Sequence, residues 1–127
     1  MSAKSILVVD DEELLTKSMS KLLEKNGYDV MVAKNAQHAI DLVQELDFDL
    51  IITDVKMPGM NGVQMLQEIN NIKSRNNTSQ KIPQIVLTGY ASDEVEKQAK
   101  ELNVKAFLYK PCDIQEILRI VRQTLSE

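Results

Sequence analysis

The chain has 127 residues, of which 43% are hydrophobic, and this is enough to close one hydrophobic core, so we expect a single domain over residues 1–127. Nineteen acidic and fifteen basic residues give a net charge of -4, which argues against a broad electrostatic surface for nucleic acid or for an anionic membrane. Cys112 is the only cysteine, which excludes an internal disulfide and a multi-thiolate zinc site and fits a reducing cytosol.

The chain begins with a short apolar run, read as MSAKSILVVDDEE, that ends in acidic residues. A signal peptide needs an apolar stretch of roughly 7 to 15 residues and a transmembrane helix about 20, and this run has about five. We therefore expect no targeting or membrane segment and a cytoplasmic location. The polar stretch Lys73–Lys81 is predicted to be a surface connection, too short to separate two domains.

Runs of strand length alternate along the chain with stretches of helical periodicity. The predicted strands are Ser5–Val9, Tyr28–Ala33, Leu50–Thr53, Gln84–Thr88 and Lys105–Tyr109. Apolar residues between and after them recur at helical spacing, which predicts five helices. Strict alternation of strand and helix predicts an α/β fold, a doubly wound parallel sheet with helices on both faces. In such sheets ligands bind beyond the carboxyl ends of the strands.

Chemically active side chains stand at four of these strand ends. Asp10 and Asp11 follow the first strand, Asp54 follows the third, Thr88 ends the fourth and Lys110 follows the fifth. A single aspartate at such a junction is usually a helix cap, but capping does not explain the lysine or the threonine. Two carboxylates about 4 Å apart repel by roughly 4 kcal/mol at an effective dielectric constant of 20, so three of them favour a bound cation. Oxygen ligands on one side of an open site suit Mg²⁺.

Four spaced motifs carry a resemblance to a known family. They are ILVVDDE, LIITDVKMPGMNG, IVLTGY and AFLYKP, in this order along the chain. With them the chain resembles the receiver domains of bacterial two-component signalling over essentially its whole length. The resemblance implies a flavodoxin-like three-layer sandwich whose five parallel strands have the order 2-1-3-4-5, as in a chemotaxis member of this family.

The resemblance also implies a phosphoryl-acceptor site. Asp54 would be phosphorylated from a phosphohistidine of a sensor histidine kinase or a phosphotransfer protein. Asp11, Asp54 and the backbone carbonyl of Lys56 would bind Mg²⁺, and Asp10 would act mostly through metal-bound water. Lys110 would bond the phosphoryl oxygens. The chain would catalyse only its own phosphorylation and dephosphorylation, so we do not expect a conventional enzyme.

In the family the signal leaves the site through a threonine and an aromatic residue, here Thr88 and Phe107. Core packing alone would also explain Phe107, which alternates with Ala106 and Leu108 on a strand. The family often has tyrosine at this position, and phenylalanine lacks its hydroxyl. The altered surface would bind a downstream protein or an output domain, or a second copy in a phosphorylation-dependent homodimer. The Lys110–Pro111 bond is expected to be cis, as in the family.

Three other functions compete with this interpretation. A hydrolase of the haloacid dehalogenase type also uses an aspartyl phosphate, but it needs a second aspartate two residues later, where this chain has Lys56. A flavodoxin-like electron carrier needs a phosphate-binding loop after the first strand, where the acidic run DDEE would repel the flavin phosphate. A degenerate receiver would act only as a binding module, and the complete set of site residues argues against it.

Overall fold

The computed structural model describes residues 3–75 and 81–126. The predicted surface connection from Lys73 begins too early, because residues 73–75 are helical, and residues 76–80 lie outside the described residues. Among the described residues, no helix combines the length and the apolar character that crossing a bilayer requires.

Strands and helices alternate throughout the described residues, as predicted. The strands are β1 (Ser5–Val9), β2 (Asp29–Ala33), β3 (Leu50–Thr53), β4 (Gln84–Thr88) and β5 (Ala106–Tyr109). The helices are α1 (Glu13–Lys25), α2 (Ala36–Glu45), α3 (Gly62–Arg75), α4 (Asp93–Glu101) and α5 (Ile114–Leu125). The strands form one parallel sheet in the order β2-β1-β3-β4-β5, which confirms the predicted fold and strand order.

Two strands begin one residue later than predicted. Tyr28 lies outside β2 because its N–H donates to the carbonyl of Leu23, at 3.2 Å, and so closes the end of α1 instead of extending the sheet. Lys105 precedes β5, although its N–H still donates to the carbonyl of Gln84 at 2.7 Å. A hydrogen bond to the end of α1 therefore decided the start of β2, which the apolar pattern could not resolve.

The sheet separates two hydrophobic cores, because successive side chains of a strand point to opposite faces. In β1, Leu7 and Val9 pack on the core beneath α2, α3 and α4, whereas Ile6 and Val8 pack on the core beneath α1 and α5. All four are fully buried, which explains why the strand is a continuous apolar run. Burial on both faces holds the carboxyl ends of β1 and β3 side by side.

Four helices follow a residue whose side chain caps them. Asn35 accepts from the N–H of His38 at 2.8 Å, Asn61 from Gln64 at 2.9 Å, Ser92 from Val95 at 3.2 Å and Asp113 from Gln115 at 2.9 Å. The first helix differs: Glu12 occupies its N-cap position without any side-chain capping bond. The side chain of Glu12 instead accepts a hydrogen bond from Lys110.

Candidate functional site

The three predicted carboxylates meet at the carboxyl edge of the sheet. Asp10, Asp11 and Asp54 each offer an oxygen, and the three oxygens all lie within 4.8 Å of one another. Asp10 and Asp54 are buried and Asp11 is exposed. The parallel pairing of β1 and β3 brings them together, and the N–H of Asp54 donates to the carbonyl of Val9 at 2.9 Å. The predicted acidic cluster is thus present.

Lys110 reaches this cluster from the end of β5. Its ammonium donates to Asp10 Oδ2 at 2.9 Å, to Asp54 Oδ2 at 3.0 Å and to Glu12 Oε1 at 3.0 Å. The lysine side chain is 17% exposed, whereas that of Glu12 is 58% exposed. Sequence reasoning missed the role of Glu12, although the residue lies in the acidic run directly after β1. The structure therefore gathers one ammonium and four carboxylates.

The pKa values reflect this crowding of charge. Burial lowers the pKa of the Lys110 ammonium, but its hydrogen bonds to Asp10, Glu12 and Asp54 outweigh burial and raise the pKa well above its usual value. Burial also raises the pKa of the Asp10 carboxyl, against the opposing hydrogen bonds from the backbone of Glu12 and from Lys110. One ammonium does not neutralise four carboxylates, so the site favours an additional cation.

The carboxylate of Asp54 is held by the loop between β3 and α3. Its Oδ1 accepts from the N–H of Val55 at 2.7 Å and from that of Lys56 at 3.3 Å. The loop turns back tightly, and the N–H of Gly62 donates to the carbonyl of Val55 at 2.8 Å. A Cβ atom at Gly62 would lie 1.9 Å from the backbone carbonyl oxygen of Asp54. This position therefore requires glycine for close approach of two backbones.

Thr88 is fully buried at the end of β4. Its hydroxyl donates to the carbonyl of Tyr90 at 3.0 Å and accepts from the N–H of the same residue at 3.4 Å. The hydroxyl is thus bonded within the loop after β4. A cleft of about 620 Å³ opens beside it and is also lined by Asp54 and Lys110. Thr88 therefore borders the same opening as the acidic cluster.

Phe107 is half-buried and packs on the core beneath α2, α3 and α4. Its ring centroid lies 5.4 Å from that of Tyr109, with 60° between the ring planes. In the sheet register Phe107 pairs with Val86, whereas Tyr109 pairs with Thr88. The hydroxyl of Tyr109 donates to Glu96 Oε2 at 2.8 Å, which joins β5 to α4. Tyr109 is thus an exposed residue whose ring packs beside Phe107.

The peptide bond between Lys110 and Pro111 is cis, as the resemblance predicted. The backbone N–H of Lys110 donates to the carbonyl of Thr88 at 2.7 Å. This hydrogen bond ties the residue after β5 to the end of β4.

The comparisons with known proteins agree with this geometry. The family model of the response regulator receiver domain matches residues 6–122. The chain belongs to the response-regulator receiver family. Receiver domains are signalling switches of two-component systems, and the acidic cluster of this receiver domain fits a phosphorylation site. Membership of this family argues against the two alternative functions, a hydrolase of the haloacid dehalogenase type and a flavodoxin-like electron carrier.

Relatives of this receiver domain differ in length. The sporulation initiation phosphotransferase F of Bacillus subtilis is 31% identical over 125 residues, an alignment that covers 98% of this chain and 96% of that protein. The uncharacterized transcriptional regulatory protein YesN of the same organism is 30% identical over 125 residues, covering 96% of this chain but 32% of the relative. The chain therefore spans about a third of one relative and nearly all of the other.

Solved receiver structures share the fold. A CheY-like receiver domain from Methanospirillum hungatei superposes with a TM-score of 0.88 at 28% identity, covering 98% of this chain and 94% of the other. A response regulator from Burkholderia pseudomallei, solved with a phosphorylated aspartic acid, a calcium ion and citrate, gives 0.78 at 28% identity, covering 92% and 65%. The likeness extends over nearly the whole chain in the first case.

Proposed function

We propose that Asp54 is the phosphoryl acceptor of this receiver domain and that residues 1–127 act as one switch domain. One observation carries the proposal: the Asp54 carboxylate lies at a cleft, held by two backbone N–H groups on one oxygen and by Lys110 on the other. Such fixed geometry is what positioning a nucleophile requires. The alternative is a degenerate receiver that only binds partners, and these contacts of Asp54 favour phosphorylation over it.

The transfer forms a bond between a carboxylate oxygen of Asp54 and the phosphorus atom. The bond between phosphorus and the imidazole nitrogen of a phosphohistidine breaks, and the leaving imidazole keeps the electron pair and takes up a proton from water. Lys110 would stabilise the charge on the phosphoryl oxygens, because its ammonium is charged at neutral pH and lies 3.0 Å from Asp54 Oδ2. The phosphohistidine would belong to a sensor histidine kinase or to a phosphotransfer protein.

The donor set fits Mg²⁺, because it consists of carboxylate oxygens with excess negative charge at an open cleft. Asp11, Asp54 and the backbone carbonyl of Lys56 would hold the ion, and Asp10 would act mostly through metal-bound water. When bound, Mg²⁺ would supply charge neutralisation to the acidic cluster. The remaining steps depend on residues of the chain itself.

The proposed output is a change of binding surface, with no reaction other than phosphorylation and dephosphorylation of the chain itself. Thr88 and Phe107 would carry the change from the site. The partner would be a downstream protein or an output domain, and a phosphorylation-dependent homodimer is the alternative partner. One relative is about as long as this chain, which is compatible with a stand-alone regulator. Another is much longer, which is compatible with a domain of a longer regulator. The cytoplasmic location expected from the sequence stays a prediction.

The proposal is tested by incubating the protein with acetyl phosphate and Mg²⁺. Intact-mass spectrometry should show one added phosphoryl group, and peptide mapping after borohydride reduction should place it at Asp54. Labelling at a different residue, or none under conditions that label a known receiver, would contradict the proposal.

Asp11→Ala is expected to weaken Mg²⁺ binding and phosphorylation together, by about tenfold or more, because it removes a direct anionic ligand. The Mg²⁺ concentration that gives half-maximal labelling measures the effect. Asp41→Ala is a matched control, since Asp41 lies on α2 and bonds Gln37 instead of the cluster. Unchanged Mg²⁺ dependence in Asp11→Ala would place the ion elsewhere.

Thr88→Ala is expected to leave Asp54 open to labelling but to uncouple the site from the surface made by α4, β5 and α5. The reason is that the variant lacks the hydroxyl that could leave Tyr90 and bond a phosphoryl oxygen. Amide NMR shifts with and without beryllofluoride measure the response of residues 92–125. Thr88→Ser, which keeps the hydroxyl, should respond as the wild type does, whereas equal responses in all three proteins would assign the coupling to another route.

A further inference from the structure

Lys110 has no spare hydrogen-bond donor in this structure. An ammonium carries three N–H groups. Here the three acceptors are Asp10, Glu12 and Asp54, at 2.9 to 3.0 Å. If Lys110 is to donate to a phosphoryl oxygen, it must first release one of these carboxylates. The identity of the released partner affects how readily the phosphorylated state forms.

The three partners differ in what their release would cost. Asp10 is 3% exposed, so losing the ammonium would strand a buried carboxylate. Asp54 is the proposed acceptor itself and must remain beside Lys110. Glu12 has a side chain that is 58% exposed, so water can replace the ammonium at its carboxylate. Glu12 is therefore the partner that Lys110 can exchange.

The position of Glu12 agrees with this role. Its backbone N–H donates to Asp10 Oδ1 at 2.9 Å, which fixes the residue over the acidic cluster. Its side chain makes no capping bond to α1, although it occupies the N-cap position, and turns to Lys110. Glu12 also lines the cleft together with Asp54 and Lys110. Its negative charge thus stands where a phosphoryl group would enter.

We infer that Glu12 is a positioning residue for the phosphoryl transfer. In the unphosphorylated protein it holds the third N–H of Lys110 at the mouth of the cleft, and it yields that N–H to a phosphoryl oxygen when Asp54 is modified. The inference rests on the proposed role of Asp54. Glu12 thereby stabilises the unphosphorylated state relative to the phosphorylated one, both by occupying Lys110 and by repelling the incoming group.

Glu12→Gln tests the inference, with Glu13→Gln as the matched control. Both variants remove one negative charge at the start of α1, but Glu13 pairs with Lys17 at 3.3 Å and does not bond Lys110. At saturating Mg²⁺, Glu12→Gln should label with acetyl phosphate about three to ten times faster than the wild type, since a weaker acceptor holds Lys110 and the repulsion is gone. The dissociation constant for beryllofluoride should fall by a similar factor. Glu13→Gln should change either quantity by less than about twofold.

The outcomes separate the inference from the function on which it rests. If wild type and Glu12→Gln label Asp54 at the same rate and bind beryllofluoride equally, Glu12 forms a surface ion pair without a role in the transfer. If Glu12→Gln and Glu13→Gln change equally, the effect is one of overall charge, and the inference is again wrong. If the wild type does not label Asp54 at all, the proposed function itself fails. The NMR shift of the Lys110 ammonium gives an independent readout, since Glu12→Gln should move it and Glu13→Gln should not.

Discussion

Asp54→Asn is expected to abolish phosphoryl labelling by acetyl phosphate. The asparagine side chain has nearly the shape of aspartate, and its oxygen can still accept the N–H groups of Val55 and Lys56. An amide is a poor nucleophile, however, and it lacks the negative charge that draws Mg²⁺ and Lys110 to this position. The variant should therefore fold normally and show no added phosphoryl group by intact-mass spectrometry, a loss of at least about a hundredfold in labelling.

A surface variant controls for the loss of charge. Asp41→Asn removes one charge from α2, at a side chain that bonds Gln37, and it should label as the wild type does. Thermal unfolding of both variants checks that the fold is retained. Labelling of Asp54→Asn at the wild-type rate would show that another residue accepts the group, and the assignment of Asp54 would be wrong.

Gly62→Ala is expected to have the largest effect on stability. The new Cβ atom would lie 1.9 Å from the carbonyl oxygen of Asp54 and 2.9 Å from its carbonyl carbon. No side-chain rotation relieves this overlap, because both contacted atoms belong to the backbone, so the loop between β3 and α3 must move. We expect a loss of about 3 kcal/mol or more in the free energy of unfolding, and a fall in Tm of about 10 °C or more. Labelling should fall too, since Asp54 moves with its backbone.

Gly89→Ala is the matched control, because a Cβ atom there would meet no atom within 4 Å. Its Tm should stay close to that of the wild type. The comparison uses thermal unfolding followed by circular dichroism for the three proteins. Equal Tm values for Gly62→Ala and the wild type would mean that the loop accommodates a methyl group and that the close approach is not required.

The sequence was sufficient to predict the parts of this site that depend on strand ends. Asp54 and Lys110 could be placed on one edge because parallel strands bring their carboxyl ends together, whatever their separation along the chain. The order of the strands came from the resemblance, since alternation alone is compatible with several orders. The predicted starts of β2 and β5 were each one residue early, and in β2 the reason is that Tyr28 bonds the end of α1.

Other features depend on side-chain geometry that no local pattern encodes. The contact of Glu12 with Lys110 joins residues 98 positions apart, and an exposed glutamate at a helix start is ordinary on its own. The pairing of Thr88 with Tyr109 depends on the register of β4 and β5, which the apolar pattern does not fix. The need for glycine at position 62 follows from a backbone approach that becomes visible only in three dimensions.

The contact between Lys110 and Asp10 joins residues 100 positions apart and closes the site across the sheet. A chain released before β5 has been made would contain all three aspartates but would lack their ammonium. Such fragments, and partly folded chains in which β5 has not docked, would lack the complete site. We therefore expect Asp54 to accept a phosphoryl group more slowly in chains whose β5 has not docked, so that the rate of labelling would also report how completely the chain has folded.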